Sequence, residues 1–307
     1  MLAAGGAAIG FGLSYPMTAV ALRSWSPLGS AAVQGTCALV LVALLALIGV
    51  LPRPGAAAVT RRGLGRLVVL GALGGTMFIA GMNAAVALAG PTIAGFVATL
   101  YAVVAALLAV PLLGERMRPA TLASFAIALV GTLLLAGFQP SEDAVAGIAS
   151  GLVAAVGFGL YLVLSRRWTV SAGLDGTSIT LANMVGRGPV ILVTQLAVDP
   201  TGVVPAEIQV ASTLAMVGLI LLPSMLSQLL ILASVKRVAA RRTSSLLLLT
   251  PLTSAVVSAV LLAERPTPME LVGGALVIAG IAGASGALGA ASQRLRPRGA
   301  AGPGDAT

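Results

Sequence analysis

Residues 114–137 read GERMRPATLASFAIALVGTLLLAG, and residues 263–286 read AERPTPMELVGGALVIAGIAGASG. The two stretches align without a gap and are identical at seven of 24 positions, among them Glu115/Glu264, Arg116/Arg265, Pro119/Pro268, Leu122/Leu271 and Gly131/Gly280. Likeness between apolar stretches of biased composition is cheap, so the matched Glu-Arg pair carries most of the weight. Each copy is a charged turn leading into one apolar, glycine-bearing run, and the chain therefore reads as a duplication.

What is duplicated follows from composition. Of 307 residues, 58% are apolar and 9% charged, with a mean hydropathy of +1.05, against roughly 25% charged in an average soluble domain. A soluble core needs a charged shell that 18 Lys+Arg and 9 Asp+Glu cannot supply. The chain reads as a membrane protein, which excludes a soluble enzyme. The basic excess would suggest nucleic acid in a soluble chain, but here its distribution over loops matters more, and nucleic acid drops out as a partner. Cys37 is the single cysteine and histidine is absent. No intrachain disulfide or Cys/His metal cluster can form, and no cofactor is implied. The first 22 residues carry no charge ahead of Arg23, which predicts a first spanning helix rather than a cleaved signal.

A span needs about 20 mostly apolar residues at 1.5 Å each. The charge-free runs are 1–22, 24–52, 67–114, 119–141, 144–165, 176–186, 188–198, 208–235, 243–263 and 271–293. As one helix, 67–114 would be roughly 70 Å long, so it holds two spans, with Gly90-Pro91 as the turn between them. The runs on either side of Arg187 are each too short and join into one helix with an internal charge. The expectation is an all-α membrane protein of ten transmembrane helices. Alternate loops divide the cations fifteen to two: Arg53, Arg61, Arg62, Arg66, Arg116, Arg118, Arg166, Arg167, Lys236, Arg237, Arg241, Arg242, Arg294, Arg296 and Arg298 against Arg23 and Arg265. That asymmetry predicts both termini in the cytoplasm of a multi-pass inner-membrane protein. Residues 1–140 form the first repeat, 141–293 the second, and 294–307 a disordered cytoplasmic tail. Because five is odd, the second unit crosses in the opposite sense, giving two inverted five-helix repeats, an architecture of secondary transporters.

With ten helices and a doubled pattern of Pro, apolar run, Gly-Glu-Arg and a helix ending in Gly, the sequence resembles the EamA-type members of the drug/metabolite transporter superfamily. The second copy is the fuller match, with Pro251, Ala263-Glu264-Arg265, Gly273-Gly274 and Gly280; the first has Gly114-Glu115-Arg116, Gly131 and Gly137, with Ala102 where the proline would be. The resemblance implies a small-molecule substrate, such as an amino acid or other small metabolite, passing a central cavity by alternating access, in the outward direction.

Arg187 falls about 15 Å into span seven, near the midplane. An Arg there costs about 2.5–3.5 kcal/mol and calls for a partner or a wet cavity. It either binds a substrate carboxylate with its planar fork, or hydrogen-bonds carbonyls freed at Gly188-Pro189, or snorkels to an interface. Glu115 and Glu264 sit at helix-end turns on opposite faces, as gate or protonation sites, or as hinge and capping residues. Uncharged polar residues lie within spans one to four and six to nine: Ser14, Tyr15, Gln34, Asn83, Thr99, Tyr101, Tyr161, Asn183, Gln228 and Thr250. In hydrocarbon they should face a cavity or a neighbouring helix. From them Tyr15, Gln34, Asn83, Tyr101, Asn183, Gln228 and Thr250 join Arg187 as candidate substrate contacts. Spans five and ten are rich in small residues, which suits close packing or contact with a second copy in a homodimer. Pro16, Pro189, Pro223 and Pro251 interrupt spans, as broken helices do at transporter hinges, although proline is also common in membrane helices.

A membrane enzyme lacks chemistry, since no His, Cys pair or intramembrane acid dyad exists and the only lysine, Lys236, is in a loop. A non-transport scaffold or channel stays open as an alternative, although a channel would more often show a filter-like ring and a lipid-facing structural protein would not need Arg187. The readings within transport are an exporter of an amino-acid-like metabolite and a multidrug or lipophilic-cation exporter, which would want a cavity acid or an aromatic cage.

Overall fold

The computed structural model describes residues 2–49, 55–114, 119–135, 141–186, 188–205, 207–227, 230, 249–263 and 265–284. Among these it contains helices and turns and no strand. The helices are α1 (Leu2–Ala21), α2 (Pro27–Leu47), α3 (Arg61–Gly71), α4 (Phe78–Ala98), α5 (Tyr101–Leu113), α6 (Pro119–Leu135), α7 (Glu142–Ala172), α8 (Gly176–Val185), α9 (Gly188–Val198), α10 (Val210–Leu221), α11 (Leu249–Leu261) and α12 (Pro268–Ala284). Side-chain oxygens start five of them. Ser26, Thr60, Ser141, Asp175 and Thr267 accept from the N–H groups of Gly29, Gly63, Ala144, Ser178 and Glu270 at 3.0, 3.0, 3.1, 3.0 and 3.2 Å, satisfying donors that a helix start leaves open.

Four helices are long and apolar enough to cross a membrane, Pro27–Leu47, Arg61–Ala98, Glu142–Ala172 and Gly176–Val198, with shorter apolar helices between and after them. The stretch Arg61–Ala98 is not one rod. Gly90 has φ 83° and ψ 162°, a conformation closed to residues with a Cβ, and Pro91 restarts the helix beyond it. The turn predicted at Gly90-Pro91 is therefore present. Span seven runs as one apolar helix from Gly176 to Val198, with α8 and α9 on either side of position 187, which lies outside the described residues. Helix four does break, although Ala102 replaces the proline: α4 and α5 part at Thr99–Leu100, and the Thr99 hydroxyl returns to the Phe96 carbonyl at 2.6 Å. Two further interruptions are π-turns, Ala72–Met77 between α3 and α4 and Leu222–Leu226 after α10.

Packing runs through small residues. The glycine faces of α6 and α12 meet each other within the chain. A Cβ on Gly131 would lie 2.6 Å from the Gly273 carbonyl oxygen, one on Gly273 2.7 Å from that of Gly131, and one on Gly280 2.5 Å from that of Ser124. Contacts that fall along one helix as they rise along the other make the pair antiparallel. The outer faces of the same helices expose Leu129, Leu133, Leu271 and Val272, surface that suits lipid. α7 packs along α4 and α5, α1 along α10, α11 and α4, and α2 along α9.

The α1 and α7 contacts repeat a motif that the duplication at 114–137 does not cover. Residues 7–13 read AAIGFGL and 154–160 read AAVGFGL. Gly12 abuts Thr253 on α11, and Gly159 abuts Val104 on α5; Gly10 abuts Ser227, and Gly157 abuts Met77. Backbone geometry repeats as well. Gly114 and Ala263, aligned by the duplication, both have left-handed φ, 70° and 54°.

Ala263 bears a Cβ in that region, which costs on the order of 1–2 kcal/mol. Ala263→Gly should therefore raise thermal stability in detergent and Gly114→Ala lower it, each by about 1 kcal/mol, since nothing lies within 4 Å of a Cβ at Gly114 to add a packing effect. Shifts of the same sign would contradict this.

Candidate functional site at the helix breaks

The breaks bring polar and aromatic side chains to the middle of the bundle. Phe158, at the centre of the second GFG motif, contacts three rings: Phe78 at 4.8 Å, Tyr101 edge-on at 4.9 Å and Tyr161 at 5.2 Å between centroids. Tyr15 is buried beside α4 in a cluster with Met82, Val86, Ala94 and Ala98, against which Phe78 also packs. These five are drawn from only 11 aromatic residues in the chain, 6 Phe, 3 Tyr and 2 Trp. Gly74, in the first π-turn, lies against both Tyr161 and Asn183; a Cβ there would fall 2.5 Å from Tyr161 Cγ and 2.6 Å from Asn183 Nδ2.

Span seven is tied to the same π-turn. The Thr76 hydroxyl donates to the Gly186 carbonyl at 2.8 Å, and the backbones of Gly71 and Gly186 are in contact. Arg187 follows that carbonyl directly and lies outside the described residues, as do Gln228, Glu115 and Glu264. Gly186 and Gly188 frame its position, the first against Gly71 and the second against Gly35.

Three predicted contacts are hydrogen-bonded, one within α2 and two between helices. Gln34 donates to Ser30 Oγ at 3.0 Å, and Asn83 donates to the same oxygen at 3.4 Å and to the Pro27 carbonyl at 3.3 Å, which joins α2 to α4. Thr250 donates to the Ala8 carbonyl at 3.3 Å, joining α11 to α1. Beside it Ser254, which the sequence reading passed over, donates to the Pro91 carbonyl at 3.2 Å. Pro16 and Pro251 are fully buried, and Pro223 lies in the second π-turn. Tyr15, Tyr101, Tyr161 and Asn183 thus gather at one centre, while Gln34 and Asn83 form a separate network.

Phe158 and Phe78 were not among the predicted contacts. The doubled GFGL motif was the signal for Phe158, and Phe78 stands outside it; Phe78, Tyr101 and Tyr161 lie around Phe158, whereas in the first copy Ser227 abuts Gly10 and Thr250 donates to the Ala8 carbonyl.

At the end of the bundle, Asp175 clasps two loops. Its carboxylate accepts from the Ser178 N–H and hydroxyl and, across 120 positions, from the Gly55 N–H at 3.0 Å. Burial pushes its pKa up, but these hydrogen bonds outweigh burial and hold it below the ordinary range. At the opposite end of α2, Gly29 abuts the Gly202 carbonyl.

The model of the EamA-like transporter family matches residues 1–137 and again 145–286. The chain belongs to that family. Both matches together cover nearly all of it, and each spans one of the two repeats. The "probable terminal-alkyne amino-acid exporter" of Streptantibioticus cattleyicolor is 34% identical over 175 residues, which is 57% of this chain and 57% of that protein's length. A solved crystal structure aligns with a TM-score of 0.64 over 96% of this chain and 98% of its own, at 21% identity, a likeness of fold alone. An EamA-like transporter is not an enzyme.

Because the folded pKa of Asp175 is depressed, its contribution is present above the ordinary carboxyl pKa of about 3.9 and is lost as pH falls through the lower folded value. Asp175→Ala should cost about 0.5–2 kcal/mol at neutral pH, as an N-cap loss does, and the gap to the wild type should narrow on acidification. Thermal unfolding at neutral and acid pH checks this; a gap independent of pH would contradict it.

Proposed function

We propose that the protein exports a small amphipathic, amino-acid-like metabolite across the inner membrane by alternating access, with ten spans in two inverted five-helix repeats and both termini in the cytoplasm. The observation that carries this reading is the pairing of α6 with α12. The duplication aligns Gly131 with Gly280 and Ser124 with Gly273, and the contacts are Gly131 with Gly273 and Gly280 with Ser124. Exchanging the repeats turns one contact into the other. Between antiparallel helices, that exchange is a two-fold rotation about an axis perpendicular to both, which is how inverted repeats are related. The paired GFG contacts on α1 and α7 support the same exchange.

The centre has two unlike halves, and that inequality supports an amphipathic substrate. Phe78, Tyr101, Phe158 and Tyr161 offer an apolar surface with phenol edges. The other half carries hydroxyls at Ser227 and Thr250, and Arg187 belongs to span seven, which the Thr76 hydroxyl ties to the first π-turn. In this reading Arg187 takes a carboxylate, Tyr15, Tyr101, Asn183, Gln228 and Thr250 line the path, and Asn83 and Gln34 brace it. Pro16, Pro189, Pro223 and Pro251 act as hinges, and Glu115 and Glu264 flank the turns at opposite ends. A second reading has one observation in its favour: four clustered rings also suit a lipophilic cation.

Arg187→Ala separates them. Cells expressing the wild type should hold less of a candidate amino acid than cells without the gene, and reconstituted vesicles should move it. The variant, at normal membrane abundance, should lose at least tenfold in transport rate. Full transport would remove the carboxylate role, and unchanged efflux of a lipophilic cation would favour the second reading. Phe158→Ala should impair both substrates.

A further inference from the structure

Five of the arginines that the sequence assigns to the cytoplasmic side lie on two elements in contact. Arg61, Arg62 and Arg66 occupy the first turns of α3, and Arg166 and Arg167 the last turns of α7, which pack together. Arg66 and Trp168 fix the register, with the guanidinium 5.9 Å from the ring centroid. Trp168 in turn packs on the cluster that includes Ala58, Leu70 and Leu174, together with Ala57 and Leu67. Arg61, Arg62, Arg166 and Arg167 are exposed.

Directly along α3 from these cations the surface turns apolar. Leu64 and Val68 are 52% and 63% exposed, at three and seven residues from Arg61, so one helical stripe carries a cation at its end and bare aliphatic side chains beyond it. Trp168 sits at the same level, where amphipathic rings favour the membrane interface. A charge-only topology signal explains the arginines but not their gathering onto two packed helices above an uncovered aliphatic stripe.

We propose that this crescent is a binding site for an anionic phospholipid, the phosphate held by Arg61, Arg62, Arg166 and Arg167 and an acyl chain lying along Leu64 and Val68. The proposal rests on the membrane placement of α3 and α7 and not on what the protein transports. Clustered guanidinium groups bind phosphate oxygens in pairs, and basic pockets between helices on the cytoplasmic side recognise anionic headgroups.

The test is lipid binding by the full chain, purified in a neutral detergent and titrated with phosphatidylglycerol or phosphatidylcholine under native mass spectrometry. The wild type should retain phosphatidylglycerol at least tenfold more tightly. R61Q/R62Q/R166Q/R167Q should lose that preference, and R23Q/R265Q, on the opposite side, should keep it. Equal retention of the two lipids by the wild type overturns the proposal whatever the variants do. So does a preference that survives in the fourfold variant, or one abolished by millimolar inorganic phosphate, which would make the site one for free phosphate. Transport by the fourfold variant is a separate readout, so failure here leaves the export reading standing.

Discussion

Hydrocarbon offers no hydrogen bond, so every interruption of a spanning helix must be repaired from inside the bundle. The structure meets that constraint in the same way at several breaks. Thr76 takes the Gly186 carbonyl, Ser254 the Pro91 carbonyl, Thr99 the Phe96 carbonyl, and Thr250 the Ala8 carbonyl. Thr99, Thr250 and Ser254 are buried and Thr76 is half-buried.

Close packing is the second consequence. A π-turn or a kink moves a helix off its line, and the neighbouring helix follows only if its surface is nearly bare. Gly10 and Gly12 on α1 and Gly157 and Gly159 on α7 supply such surfaces, each set against the helix that bears a break. Van der Waals contact between small residues replaces the hydrophobic drive that lipid cannot provide. The Phe between the second pair, Phe158, meets the rings of Phe78, Tyr101 and Tyr161.

Much of the fold was legible because membranes write it in one dimension. Charge-free runs and the Gly90-Pro91 turn marked the elements, and the Glu115/Glu264 alignment exposed the family's duplication. The site was less legible. The π-turn at Ala72–Met77 holds no proline, and the break at Thr99–Leu100 stands where the proline of the other copy is replaced by Ala102, so neither had a local signature. The GFGL repeat was hidden by its own composition, four apolar letters in a chain rich in Ala and Gly. Asp175 with Gly55, and Phe158 with Phe78, are pairs distant in sequence whose meeting depends on how helices pack. Arg187 was conspicuous for the opposite reason, as a lone charge that no span should carry without purpose.

The central claim is that two like halves lie in opposite senses across the bilayer. Since Cys37 is the only cysteine, a Cys37→Ser background permits single cysteines to be placed at Ala57, in the loop clasped by Asp175, and at Val203, in the turn set against Gly29. Labelling intact cells with a membrane-impermeant maleimide should modify Val203→Cys from outside and leave Ala57→Cys untouched until the membrane is opened. Both sites reacting from the same side would contradict the account.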